Sequence, residues 1–138
     1  MILGFLGTGR IASSVIEGIF KSKLKIKKIY ISPRNRIIAK KLNKRFKKVT
    51  ISRNNQQLID KSNWVFLGIT PKVGNKILKK LNFKKNQKII SFISTINLAQ
   101  LKKAIGKNSK IIRAIPLPPI SIRKGPVPIF PPDKQVKN

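Results

Sequence analysis

The apolar run Met1 to Leu6 ends on the turn Gly7-Thr8-Gly9-Arg10-Ile11-Ala12, and a helical stripe follows it at once. A short apolar run stopped by glycine reads as a strand buried on both faces. Ile11, Val15 and Ile19 recur at i, i+4 and i+8, with Ala12, Ile16 and Phe20 beside them, so Arg10 to Phe20 reads as a helix. A strand that passes through G-x-G-x-x-A into a helix has few uses for that spacing. Gly7 permits the tight turn, Gly9 lets the backbone approach a pyrophosphate, and Ala12 allows close helix packing while the helix N-terminus faces the anion. The turn therefore predicts a dinucleotide site.

The rest of the chain repeats the alternation. Strands are expected at Lys28 to Ser32, Val49 to Ile51, Trp64 to Ile69, Lys88 to Ile93 and Lys110 to Ile115. Between them lie helical stripes: Ile38, Leu42 and Phe46 after a cap at Asn35; a brief helix capped at Asn54 or Asn55 and running through Asp60; Val73, Ile77 and Leu81 beyond Pro71; and Leu98, Leu101 and Ile105 after Asn97. Regular β then α predicts an α/β fold, a doubly wound and mostly parallel sheet with helices on both faces, binding its ligand outside the carboxyl ends of the strands. Residues 1–115 are read as this dinucleotide-binding domain. Seven of the nine prolines fall between Pro116 and Pro132, which suits extended chain and an edge strand at Val127 to Phe130 rather than a helix. Residues 116–138 are read as that edge strand and an exit segment.

An NAD site places an acid at the end of the second strand, about 20 residues after the glycine turn, to hold the ribose 2′-OH. Here the sequence is Ser32-Pro33-Arg34-Asn35, and from Arg10 to Lys61 the acids are Glu17, inside the first helix, and Asp60, too far along. A 2′-phosphate would instead meet the Ser32 hydroxyl, the Arg34 guanidinium and the Asn35 amide. NADP is expected over NAD.

Composition narrows the chemistry further. Without Cys or His, the chain holds no disulfide, no thiolate or imidazole metal site and no Ser-His-Asp triad. No metal is expected. No apolar run approaches the roughly 18 residues that span a bilayer, and the N-terminus lacks a basic leader, so a cytoplasmic protein without a membrane partner is expected. The 32 Lys and Arg stand against 3 Asp and Glu, a net charge of +29, and such a field attracts polyanions. Lysine pairs such as Lys40-Lys41, Lys79-Lys80 and Lys102-Lys103 fall on solvent faces, and no aromatic stacking surface accompanies them, so no specific nucleic-acid partner is expected.

Ile2 to Ala12, Ser32 to Asn35, Asn55, the block Asp60 to Pro71 and the stretch Arg113 to Pro119 together resemble the N-terminal domain of the pyrroline-5-carboxylate reductase family. The resemblance implies a Rossmann-type fold, NADPH or NADH as cofactor and reduction of a small cyclic imine. It implies that Leu6, Gly7, Thr8, Gly9, Arg10 and Ile11 lie along the pyrophosphate and that Ser32 and Arg34 meet the 2′-phosphate. Asn55 would contact the adenosine half, and Gly68, Ile69, Thr70 and Pro71 would line the cleft. Two departures fall where the nicotinamide end would lie: Ser94-Thr95 in place of Ala-Gly, and Pro116-Leu117-Pro118-Pro119 in place of Pro-Asn-Thr-Pro. The family's helical domain, which makes the dimer and most of the imine pocket, has no counterpart in these residues. No proton donor stands out; Tyr30 and Glu17 read as packing and surface residues.

Overall fold

A computed structural model describes residues 1–137. Its elements are β1 (Ile2–Leu6), α1 (Arg10–Phe20), β2 (Lys28–Ile31), α2 (Arg36–Arg45), β3 (Val49–Ile51), α3 (Asn55–Lys61), β4 (Trp64–Leu67), α4 (Pro71–Ile77), β5 (Lys88–Ser91), α5 (Leu98–Ile105), β6 (Lys110–Ala114), β7 (Ile129–Phe130) and α6 (Lys134–Lys137), with 3-10 turns at Leu78–Lys80 and Pro118–Ile122. The strands form one seven-stranded sheet in the order β3-β2-β1-β4-β5-β6-β7, parallel except for β7. This is the doubly wound, Rossmann-type arrangement. Strand order reverses beside β1, where Phe5 pairs with Ile31 of β2 on one side and Phe66 of β4 on the other.

Strand side chains alternate between two cores, as the period of two requires. Leu3, Phe5, Ile29, Ile31, Phe66 and Ile90 pack with Ala12 and Ile16 of α1 and with Ala39 and Leu42 of α2, and Phe5 stacks on Phe66 at 4.5 Å. Leu6, Val65, Leu67, Ile89 and Ile111 pack on the opposite face with Leu58, Ile59, Leu78 and Leu101. Four helices carry the side-chain caps that their sequences offer: Asn35, Asn54, Thr70 and Asn97 accept from Ile38, Gln57, Val73 and Gln100 amides.

Several expected boundaries shift. In α1 the fully buried line is Ala12 and Ile16, and the expected stripe Ile11, Val15 and Ile19 is only partly covered, because the helix turns its small residue toward the sheet. Strand β4 stops at Leu67 and β5 at Ser91, each short of the expected Ile69 and Ile93; beyond Ser91 its own hydroxyl accepts from the Ile93 amide at 3.2 Å and turns the chain. The proline-rich segment is not extended throughout. Leu117 leads into a 3-10 turn over Pro118–Ile122, since the fixed φ of Pro118 and Pro119 suits the opening of such a turn, and Arg123 leaves it at φ 61°. The edge strand is confined to Ile129–Phe130, because Pro128 has no N–H for the ladder. Helix α6 was not foreseen.

Candidate functional site

A cleft of about 870 Å³ opens where the carboxyl ends of β1 and β4 part, the crevice that the strand order predicts. Its floor is Gly7, Thr8 and Gly9 from β1 and Gly68, Ile69 and Thr70 from β4. Gly7 sits at φ 98°, where a side chain is strained, and a Cβ there would lie 2.5 Å from the Gly68 carbonyl oxygen. Its lack of a side chain is a demand of the fold. Gly9 is different: its φ is −64°, and the nearest atom to an added Cβ, the same Gly68 oxygen, is 3.8 Å away. Nothing among the described residues requires a glycine at this position, and its bare backbone faces the cleft. A Cβ at Gly68 would lie 2.9 Å from the Ala12 Cβ, and the close packing expected of Ala12 is made against this residue.

Helix α1 begins over this floor without a side-chain cap. The amides of Arg10, Ile11 and Ala12 find no acceptor among the described residues, and no acidic residue occupies the first turn. Thr8 adds a buried Oγ1 with no hydrogen-bond partner. Partial positive charge at the helix N-terminus, free amides and an unsatisfied hydroxyl make a place for an anion.

The opposite end of the cleft is built from the connections after β2 and β3. Ser32, Arg34, Asn35 and Asn55 all line it, and Ser32 Oγ donates to Asn55 Oδ1 at 2.9 Å. Asn35 also caps α2, so its Oδ1 is engaged and its amide hydrogens remain. Arg36 and Ile37, the first two residues of α2, join the lining, and Ile37 is 83% exposed. Val73 and Ile77 of α4 supply an apolar wall. The sequence reading missed these four; the signal for Arg36 was its place at a helix start two residues beyond Arg34, on the same turn.

Four expected residues stand apart. Leu6 is fully buried in the core, because its side chain points away from the strand end, and Pro71 is exposed as the first residue of α4. Ile11 is partly covered on α1, while Arg10 lines a separate groove between α1 and α2 with Lys41 and Arg45.

Among the described residues no carboxylate lines the cleft. Glu17 pairs with Arg45 at 2.9 Å, Asp60 accepts from Gln56 Nε2 at 2.8 Å, and Asp133 pairs with Lys88 at 2.7 Å, all away from it. The cations divide by type. Four of the seven arginines, Arg10, Arg34, Arg36 and Arg53, follow the carboxyl ends of β1, β2 and β3, whereas lysine clusters at 21–27, 44–48, 79–85 and 102–107 gather at the other ends of the helices. Cations at helix C-termini complement the helix dipole, which accounts for many of the lysines. Arginine, with its planar fork, is concentrated on the edge where an anion would be gripped. Arg113 reaches across the same edge, its Nη2 donating to the Ser94 carbonyl oxygen, so the departure Ser94-Thr95 is anchored from β6. Among the described residues there is no group of His, Cys, Asp or Glu able to hold a metal, and no helix long and apolar enough to cross a membrane.

Comparison with known proteins agrees with this geometry. The model of a family described as NADP oxidoreductase, coenzyme F420-dependent, matches residues 2–97. Pyrroline-5-carboxylate reductase 3 of Danio rerio is 28% identical over 130 residues, covering 89% of this chain and 43% of that protein. Pyrroline-5-carboxylate reductase of Escherichia coli K12 is 23% identical over 134 residues, covering 94% and 49%. The chain thus spans about half the length of the curated relatives it matches. The crystal structure of 1-pyrroline-5-carboxylate reductase from Streptococcus pyogenes superposes with a TM-score of 0.82 at 27% identity, covering 99% of this chain and 52% of that one. The Plasmodium falciparum pyrroline carboxylate reductase with NADP bound gives 0.82 at 18% identity, covering 99% and 51%, and shows the shared fold.

Proposed function

The chain belongs to the family described as NADP oxidoreductases, coenzyme F420-dependent, and from that membership and the cleft we propose that it is the NADP-binding domain of a reductase that transfers hydride from NADPH to a cyclic imine, converting pyrroline-5-carboxylate to proline. The observation that carries the reading is the uncapped start of α1 above a floor whose Gly9 is bare without structural need. That combination fits a pyrophosphate, with the free amides of α1 as donors and the Thr8 hydroxyl beside them. At the far end, Arg34 and Arg36 fit a 2′-phosphate, and no acid competes for a ribose 2′-OH. Val73, Ile77 and Ile37 offer apolar surface to the rings.

The reduced nicotinamide would supply the hydride, so the protein's part is to bind, orient and keep water from the reacting carbon. On this reading residues 1–115 hold the cofactor and residues 116–138 form the edge strand and the exit from the domain, while the imine pocket and the dimer contacts would belong to the helical domain that the resemblance implies. Calorimetric titration with NADPH and NADH tests the reading: NADPH is expected to bind more tightly. Failure of the folded chain to bind either dinucleotide overturns it.

A further inference from the structure

Helices α1 and α2 start at the cleft and end at a second cavity, of about 300 Å³, beside the amino ends of β2 and β3. The two cavities share no lining residue. Phe20, the last residue of α1, and Phe46, the first after α2, both line the second one and stack with ring centroids 4.2 Å apart. The connection between α1 and β2 adds Ser22, Leu24 and Ile26, while Lys23 and Lys25 between them are exposed and do not line it. This period of two belongs to extended chain that lays one side against an apolar surface. The cover is incomplete, since Ile26 is 6% exposed and Leu24 44%.

The rim of this cavity is cationic. Arg45, Lys47 and Lys48 line it, and among the described residues no carboxylate is in its immediate lining. The partial negative charge at the end of α2 accounts for Lys44 and Arg45 in its last turn, and Arg45 also pairs with Glu17 at 2.9 Å. Lys47 and Lys48 lie past that end. Lys48 Nζ donates one of its three hydrogens to the Ile26 carbonyl oxygen at 3.0 Å and keeps two, and Lys47 is exposed. Ser22 is already engaged: its hydroxyl donates to the Ile19 carbonyl oxygen at 2.7 Å and accepts from the Leu24 amide at 3.1 Å.

We propose that this cavity is a second ligand site, for a small amphiphilic carboxylate: an aliphatic chain lies against Phe20, Leu24 and Phe46, and its carboxylate meets the ammonium groups of Lys47 and Lys48. The volume stands at the lower end of small-molecule pockets, about 300 to 1,000 Å³, which suits a short chain better than a nucleotide. The aromatic and aliphatic lining calls for an apolar body, and the two lysines call for an anionic head. A sugar or a nucleobase would find no free hydroxyl or amide side chain there, because Ser22 is spent within the connection. The site is separate from the dinucleotide cleft and does not depend on the reading of that cleft.

Titrating the full chain with octanoate, followed by amide chemical shifts in NMR spectra, tests the proposal. Saturable shifts are expected at residues 19–26 and 45–48, with Gly7, Gly9 and Gly68 of the cleft unmoved. Hexanoate should bind more weakly, by roughly fourfold for each missing methylene that octanoate buries fully. Acetate, a head without a chain, and octylammonium, a chain with the wrong head, should not saturate the site. Leu24 and Lys47 are both exposed, so Leu24→Ser and Lys47→Gln should fold normally by circular dichroism, and each should weaken octanoate by about threefold or more. Lys103→Gln on α5 removes the same charge away from the cavity and should leave the affinity unchanged. Octylammonium binding as tightly as octanoate would reduce the site to apolar contact and overturn the proposal. So would acetate binding as tightly as octanoate, or Lys103→Gln costing as much as Lys47→Gln, since either means that only the net charge is sensed. Shifts centred on the cleft, or none that saturate, overturn it as well.

Discussion

A Cβ added to Gly18 would lie 2.3 Å from the carbonyl oxygen of Ile120. Helix α1 and the Pro118–Ile122 turn therefore meet with no side chain between them, and the proline-rich segment is packed along the same helix whose N-terminus faces the cleft. Substituting Gly18 by Ala sets two effects against each other. Alanine gains about 1 kcal/mol of helix propensity over glycine, whereas forcing an atom into a filled space costs about 1 to 3 kcal/mol. The obstructing atom is backbone, which yields less readily than the end of a flexible side chain, so we expect Gly18→Ala to be destabilising on balance. Thermal unfolding checks this, and an unchanged or raised Tm would show that the turn can move off α1 freely.

Two glycines of the same turn should respond in opposite ways. Gly7→Ala places a side chain at φ 98° and within 2.5 Å of the Gly68 oxygen, so loss of folded protein is expected. Gly9→Val meets nothing closer than 3.8 Å at Cβ, so the fold should survive while, on the proposed reading, the branched side chain fills the space that the pyrophosphate would take. Circular dichroism and NADPH titration on the same samples separate the outcomes. A folded Gly9→Val variant that still binds would make the turn purely structural.

Arg34 and Arg36 line the cleft at the end where the proposed reading puts the adenosine, and both are exposed. A hydrogen bond to a charged group contributes about 1.5 to 3 kcal/mol, so Arg34→Asp or Arg36→Asp should weaken NADPH by on the order of tenfold or more and leave NADH unaffected or improved. Lys103→Asp, on an exposed stretch of α5 away from the cleft, is the control for the overall field. If the control costs as much as either arginine, only net charge is being sensed.

The parallel sheet was legible because each buried strand is a compact apolar run and each helix repeats its stripe before the next strand; Asn35 and Asn97 mark two starts in the sequence and cap them in the structure, and of the two candidates Asn54 and Asn55 it is Asn54 that caps α3. The glycine turn was legible for the same local reason. Less so were features that depend on distant partners. Nothing near Gly18 signals that Ile120 will touch it, and nothing near Ser32 signals that its hydroxyl will bond to Asn55, twenty-three positions away. The 3-10 turn at Pro118 was hidden because proline suits both extended chain and the first positions of a helical turn. Lysines that look scattered in the sequence collect at helix ends because the winding brings all those ends to one edge of the sheet.

The last prediction concerns the ion pair at the far edge of that sheet. Lys88 Nζ donates to both oxygens of Asp133, at 2.7 and 2.8 Å, and to Gln135 Oε1, and lies 4.8 Å from the Trp64 ring centroid. The Lys88 hydrogen bond, helped by the Gln135 and Val136 amides, holds the Asp133 carboxyl below its ordinary value of 3.8 against the opposing effect of desolvation. A carboxyl whose folded pKa is depressed contributes stability above its unfolded value, and that stability is lost as pH falls through the folded one. Asp133→Asn should therefore lower stability at neutral pH, by about 1 to 3 kcal/mol; that is less than for a fully buried pair, because the Asp133 side chain keeps 26% of its exposure. The gap between the two proteins should persist from pH 7 to pH 5 and close below 3.8. Trp64, the single tryptophan, sits beside the pair, so denaturant unfolding followed by its emission at pH 7, 5 and 3 reads the effect directly. A gap that stays constant down to pH 3 would mean that Asp133 acts only by capping α6 and that its charge contributes nothing to holding the segment on the sheet.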